Sequence, residues 1–227
     1  MLRGLSLKTL VSWSSGKDSA WTLHVLRQNP NFEIAGLFTT LNAAFNRVAM
    51  HGVRRAILEA QAKAAGLPLH VIDLPWPCPN EVYETLMGAF AAQKVSEGIE
   101  AMAFGDLFLG DIRRYREEKL KGTGLTPIFP LWGRPTRQLA EEMIAGGLVT
   151  HLSVVDPKKL PASFAGRAFD KALLDALPPG IDPCGEIGEF HTCVSAGPMF
   201  TRALPIQVGE TVERDGFVFA DLLLAGA

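Results

Sequence analysis

The chain has 227 residues, 48% hydrophobic and 20% charged, with a formal net charge of −2, a balance ordinary for a globular protein and unlike a disordered or fibrous one. No uninterrupted apolar stretch approaches the roughly 20 residues of a membrane span, so no membrane partner is expected, and the near-neutral charge gives no overall reason to expect nucleic acid. The three cysteines, Cys78, Cys184 and Cys193, form no CxxC pair and are odd in number, which disfavours a disulfide framework and a Cys-rich zinc site.

Residues 1–8 hold no long apolar core of a secretory signal, so cytoplasmic residence is expected. Residues 8–13 then read as a short apolar strand, and Ala20 to Leu26 have helical composition, so Ser14 to Asp18 must make the strand-to-helix turn. A helix N-terminus presents free N–H groups and the positive end of its dipole, Lys17 adds a full charge, and Ser14, Ser15 and Ser19 add hydroxyls. Together they form a phosphate cradle. The familiar P-loop requires Gly five residues before its second Gly and Ser or Thr after Lys, but Val11 and Asp18 stand there. The competing reading is a capped helix start, with Asp18 or Ser19 as N-cap.

Further strands are expected at residues 33–40, 69–74, 99–106 and 148–155, with helices at 52–65, 80–97, 136–145 and 170–177. Gly66 stops the first of these, Asn80 and Thr136 offer N-caps, and Gly98 and Gly146 offer stops. The alternation predicts an α/β fold, a mainly parallel, doubly wound, Rossmann-like sheet with helices on both faces. The dense run Arg113 to Lys119 pairs Arg113 with Glu117 and Arg114 with Glu118 at i,i+4 and reads as a solvated helix face. Beyond Gly180 the style changes. Strands are expected at residues 189–195, 206–213 and 216–223, the last two forming a hairpin about Arg214 and Asp215, so a smaller β-containing C-terminal region follows. That region is expected to start somewhere between Pro130 and Gly180. Leu222, Leu223 and Leu224 can pack within the domain or between subunits, which leaves a homo-oligomer open.

Open α/β sheets bind ligands beyond the carboxyl ends of their strands. Ser12 to Ser19, including Trp13 and Gly16, together with Thr39, Thr40, Gly105 and Asp106, lie at such ends, and His51 follows the second strand. A carboxylate at Asp106 can hold Mg²⁺ against phosphates, because that ion takes one or two carboxylates and completes its shell with phosphate and water oxygens; a helix cap is the alternative. Asp182 to Thr192 sets two carboxylates, Glu186 and Glu189, with an imidazole and a thiol around two glycines, and can bind an amine, ammonia or a metal, or act as a base. The bland alternative is a solvated polar turn.

Ser14 to Ser19 resembles the PP-loop, Ser-Gly-Gly-Lys-Asp-Ser, of the adenine nucleotide alpha hydrolase (HUP-type) superfamily, with Ser15 in place of the first Gly. Phe104-Gly105-Asp106-Leu107 with Arg114-Tyr115-Arg116, Pro130-Leu131-Trp132, and Cys184 to Thr192 extend the match. On these residues the chain resembles the diphthine–ammonia ligase family. Cys184 stands where that family commonly has Gly or Ala, and the additional domains of eukaryotic relatives are missing from this sequence. The resemblance implies that ATP adenylates a carboxylate, releasing pyrophosphate, and that ammonia or another nitrogen donor displaces AMP to leave an amide. It assigns residues 1–130 to nucleotide and 131–227 to an acceptor, Lys17, Asp106, Glu186 and Glu189 to catalysis, Asp18 and Asp106 to Mg²⁺, and Ser12 to Ser19 with Thr39, Thr40, His51 and Gly105 to ATP. The acceptor is an unknown carboxylate, on a small molecule or a modified protein side chain. A nucleotide sensor without ligase chemistry and a sulfur- or tRNA-modifying PP-loop enzyme are the alternatives; neither a basic RNA surface nor paired catalytic cysteines is evident.

Overall fold

A computed structural model describes residues 6–226. The outer limits expected for the two units, Met1 and Ala227, and the first five residues read for a leader, lie outside them. Strand β1 (Leu7–Ser12) runs into α1 (Lys17–Arg27). There follow β2 (Phe32–Asn42), β3 (Arg47–Val48), α2 (Arg55–Ala65), β4 (Leu69–Leu74), α3 (Asn80–Ser96), β5 (Ala101–Ala103), α4 (Gly110–Leu120) and β6 (Thr126–Ile128). The parallel ladders join β4 to β2, β2 to β1, β1 to β5 and β5 to β6, while β3 pairs antiparallel with the far end of β2.

Successive strand residues divide between two cores. Leu10, Phe38, Met102 and Phe104 pack with Ala91 of α3 and Leu120 of α4, whereas Val11, Leu37 and Ala103 pack with Leu23 of α1 and Ile57 of α2. That two-residue alternation places α1 and α2 on one face and α3 and α4 on the other, the doubly wound arrangement.

The C-terminal part contributes α5 (Thr136–Ala145), β7 (Val149–Val155), α6 (Lys171–Ala176), β8 (Phe190–Ala196), β9 (Ile206–Arg214) and β10 (Phe217–Leu224). Here one expectation is corrected. The strand at 148–155 does not join the parallel sheet but is β7 of a separate antiparallel sheet in the order β8-β7-β10-β9. The remaining parallel edge is β6, a three-residue strand containing Pro127; a proline is tolerated there because one side of an edge strand needs no donor.

Smaller corrections concern ends. The N-cap of α1 is Gly16, not Asp18 or Ser19. Pro79 and Pro135 occupy the cap positions of α3 and α5, so Asn80 and Thr136 are first helical residues. Helix α2 starts at Arg55 rather than residue 52, because Met50 (φ 60°) and Gly52 (φ 64°) turn the preceding loop. The hairpin turns at Asp215 and Gly216, both at positive φ, as a tight two-residue β-turn requires. Leu222 is buried on β10 and Leu224 packs against the same core, so these leucines serve the interior.

Candidate active site

The loop after β1 is held from behind by one side chain. Gln61 of α2, fully buried, accepts from the Trp13 indole at 3.0 Å and donates to the carbonyls of Ser15 (3.1 Å) and Val194 on β8 (2.7 Å). The Val194 N–H donates to the same Ser15 carbonyl at 2.9 Å. Ser15 therefore takes φ 69°. Standing where the PP-loop has its first Gly, the serine adopts a glycine-like conformation, and its buried hydroxyl has no partner among the described residues. In front, Ser19 Oγ donates to the Gly16 carbonyl at 2.9 Å and lies 3.3 Å from Ser14 Oγ.

Lys17 opens α1, and its N–H donates to Thr192 Oγ1 of β8 at 3.0 Å. Its ammonium, only 2% exposed as a residue, donates to both Asp18 oxygens at 3.0 and 2.7 Å and to the Cys184 carbonyl. Burial alone would drive this amine toward neutrality, but the Asp18 carboxylate and neighbouring acidic groups outweigh it and hold the pKa above the usual lysine value. The cation is retained.

Gly105, at the carboxyl end of β5, lets that strand approach α1: a Cβ there would stand 2.9 Å from the Asp18 carbonyl carbon. Asp106 follows and accepts from Arg116 of α4 through both oxygens, at 2.6 and 3.1 Å. The Arg116 guanidinium also lies 4.4 Å from the Phe104 ring centre.

From the C-terminal part comes the loop before β8. Asp182 accepts from the Glu186 N–H at 2.9 Å, and Glu189 Oε1 accepts from the Asp182 N–H at 3.0 Å, so Asp182 and Glu189 brace the loop from inside. Glu186 accepts from the Leu107 N–H at 2.8 Å. Burial is the main cause that pushes its carboxyl up to about 7, against the pull of that N–H, with Asp18 and Asp106 adding repulsion. A carboxyl titrating near neutral pH is suited to accept or return a proton.

These parts surround a cavity of about 280 Å³. Ser12, Ser14, Lys17, Asp18, Ser19, His51, Gly105 and Asp106, expected at or near the strand ends, line it, and Glu186, Arg116, Cys184, His191 and Thr192 join them from other elements. Trp13, Ser15, Gly16, Thr39, Thr40 and Glu189 do not line it. Trp13 is core, Thr39 is buried on β2 with Thr40 beside it, and Glu189 is 2% exposed with Oε2 unpaired. Cys184 and Cys193 are buried free thiols. Burial raises both, Cys193 to about 12, so neither is set up as a nucleophile.

Arg116 is the functional side chain the sequence reading missed, since spacing alone assigned its helix to solvent. The signal available was the need of a half-buried Asp106 for a counter-cation. Arg113 does pair with Glu117, at 2.7 Å. Among the described residues no group of three or more His, Cys, Asp or Glu could hold a metal alone. Asp18 and Asp106 both line this polar cavity, where carboxylates could meet a Mg²⁺ ion whose other ligands are phosphate and water oxygens. No described helix is long and apolar enough to cross a membrane.

Residues 7–126 match the family model for the diphthamide synthase N-terminal domain, and residues 135–220 match that for the diphthamide synthase C-terminal domain. Among curated relatives, the diphthine–ammonia ligase of Rattus norvegicus is 29% identical over 149 residues, covering 63% of this chain and 55% of the relative. That of Homo sapiens is 28% identical over the same coverage. That of Danio rerio is 29% identical over 175 residues, covering 70% of this chain and 68% of the relative. The chain spans about half the length of the mammalian relatives it matches.

Proposed function

Because the chain belongs to the diphthamide synthase family, we propose that it is an ATP-dependent ligase that adenylates a carboxylate and amidates it with ammonia. The observation that carries this reading is the convergence of the Lys17 helix start, the Asp106 strand end and the Glu186 loop on one cavity. A carboxylate oxygen of the acceptor attacks the α-phosphorus of ATP, and pyrophosphate leaves. The ammonia nitrogen then attacks the acyl carbon, AMP leaves, and the proton shed by nitrogen passes to Glu186.

Lys17 and the first N–H groups of α1 neutralise the phosphates, a role that strengthens as charge moves onto the leaving group. Ser12, Ser14, Lys17, Asp18 and Ser19, with His51 and Gly105 beside them, form the nucleotide side, and Arg116 balances Asp106. Mg²⁺, held by Asp18 and Asp106, would supply further neutralisation of phosphate oxygens when bound. Glu189 acts through the loop it braces. The acceptor is a carboxylate on a small molecule or a modified protein side chain; the names of the relatives point to a diphthine-like group.

Titrating Mg-ATP into two variants tests the division of labour. Lys17→Ala should weaken nucleotide binding by at least about tenfold, as loss of a charge-assisted phosphate contact does, whereas Glu186→Gln should bind nucleotide normally and lose amide formation. Unchanged binding in the first, or loss of binding in the second, would remove those roles.

A further inference from the structure

His51, from the loop before α2, and His191, on β8, both line the phosphate cavity, and their rings stack with centroids 4.4 Å apart and planes tilted by 38°. Their place is fixed by the loop itself. A Cβ on Gly16 would stand 3.0 Å from His51 Cε1, and His51 Nδ1 is 3.4 Å from the Thr192 carbonyl. A neutral ring donating from Nδ1 to that carbonyl leaves Nε2 as the acceptor. Thr192 thus orients the His51 ring and, through its hydroxyl, the first N–H of α1.

We propose that His51 and His191 act together as a second anion-holding element of this cavity, taking one proton from solvent when a polyphosphate enters and returning it when pyrophosphate leaves. The proposal rests on the reading of the cavity as an ATP site. Before the anion arrives both rings are neutral. Burial, then His191 and Lys17, hold His51 well below the ordinary value, against the Thr192 carbonyl; burial, then Lys17, bring His191 down to about 4. The other charged or titratable groups lining the cavity are Asp18 on α1, Asp106 after β5, Arg116 on α4, and Cys184 and Glu186 on the loop before β8.

Lys17 and Arg116 each already have a carboxylate partner. A polyphosphate carrying several negative charges therefore meets cations that it shares with carboxylates, and the paired imidazoles are a further source of positive charge in the cavity. Two adjacent rings repel as cations, so the pair gains a single proton. Neutral rings in the empty cavity avoid adding positive charge beside Lys17, and the charged pair appears only with the anion that needs it.

The test is calorimetric titration of the full chain with Mg²⁺ and α,β-methylene-ATP at about pH 7, in buffers of different ionisation enthalpy. Roughly one proton should be taken up per nucleotide, affinity should fall by up to about tenfold per pH unit above neutrality, and both effects should largely vanish in His191→Gln and His51→Gln. In wild-type protein, two of the five histidine Cε1–H NMR signals should shift toward imidazolium on binding, a readout that needs no variant to fold. Binding without proton uptake, or uptake unchanged in both variants, overturns this proposal and leaves the ATP site standing. Failure of wild type to bind the analogue removes both.

Discussion

At Ser15 backbone and side chain are both held against their preference. A non-glycine residue at φ 69° costs about 1–2 kcal/mol, and a buried hydroxyl without a partner costs about 1–3 kcal/mol. Ser15→Gly relieves both, offset by about 0.5–1 kcal/mol of chain entropy. We expect a net gain of about 1–4 kcal/mol, a Tm higher by about 2 °C or more, and retained nucleotide binding; a lower Tm in a thermal melt would contradict this. Glu186 carries the opposite bargain between stability and chemistry. Its folded pKa, about 7, lies above the unfolded value, so the folded protein binds the proton more tightly and ionisation at alkaline pH costs stability. Glu186→Gln should accordingly be more stable than wild type at about pH 8, by up to about 3 kcal/mol. The advantage should shrink as pH falls through 7 and disappear below about 4.5, where Glu186 is protonated in both states. An advantage that does not change with pH, read from denaturant melts, would assign the effect to packing. At this scale the position of Lys17, Asp18 and Asp106 beyond the carboxyl ends of β1 and β5 was legible in the sequence, because in each case an apolar run leads into a glycine-containing turn and then a helix. Arg116 and Thr192 were not, because their partners lie 10 and 175 residues away.

Among elements, β5 and α1 approach each other closely in the site. Gly105→Ala places a methyl group 2.9 Å from the Asp18 backbone, so the strand end and the helix start must separate. It should cost about 1–3 kcal/mol and weaken nucleotide binding. Gly88→Ala, in α3 with open space at its Cβ, should instead gain about 0.5–1 kcal/mol from helix propensity. Equal Tm changes in the two variants would show that the close approach at Gly105 does not matter. Apart from the two-residue β3, the order of strands and helices through α4 was readable because hydrophobic runs alternate with helix formers and glycine stops. What escaped was membership of a sheet: residues 148–155 look alike in a parallel or an antiparallel ladder, since composition records burial and not the neighbour. Strand β6 escaped because three residues with a central proline carry no periodicity.

For the whole molecule the decisive feature is that one hydrophobic cluster runs from α1 and α2 through α5 to β8 and β10. Gln61 and Thr192 add polar links between the loop after β1 and β8. The two family-model regions thereby close one cavity between them. The sequence supplied both halves of the cavity, but their meeting depends on contacts between residues more than a hundred positions apart, which no local pattern encodes.

The most direct test of the ligase reading is to follow the nucleotide by ³¹P NMR when the protein is given Mg-ATP, ammonium and a fractionated extract as the source of acceptor. The account predicts AMP and pyrophosphate in equal amounts, only with ammonium and an active fraction, and none with Lys17→Ala. ADP and phosphate as products, or tight binding of ATP without turnover in every fraction, would contradict it.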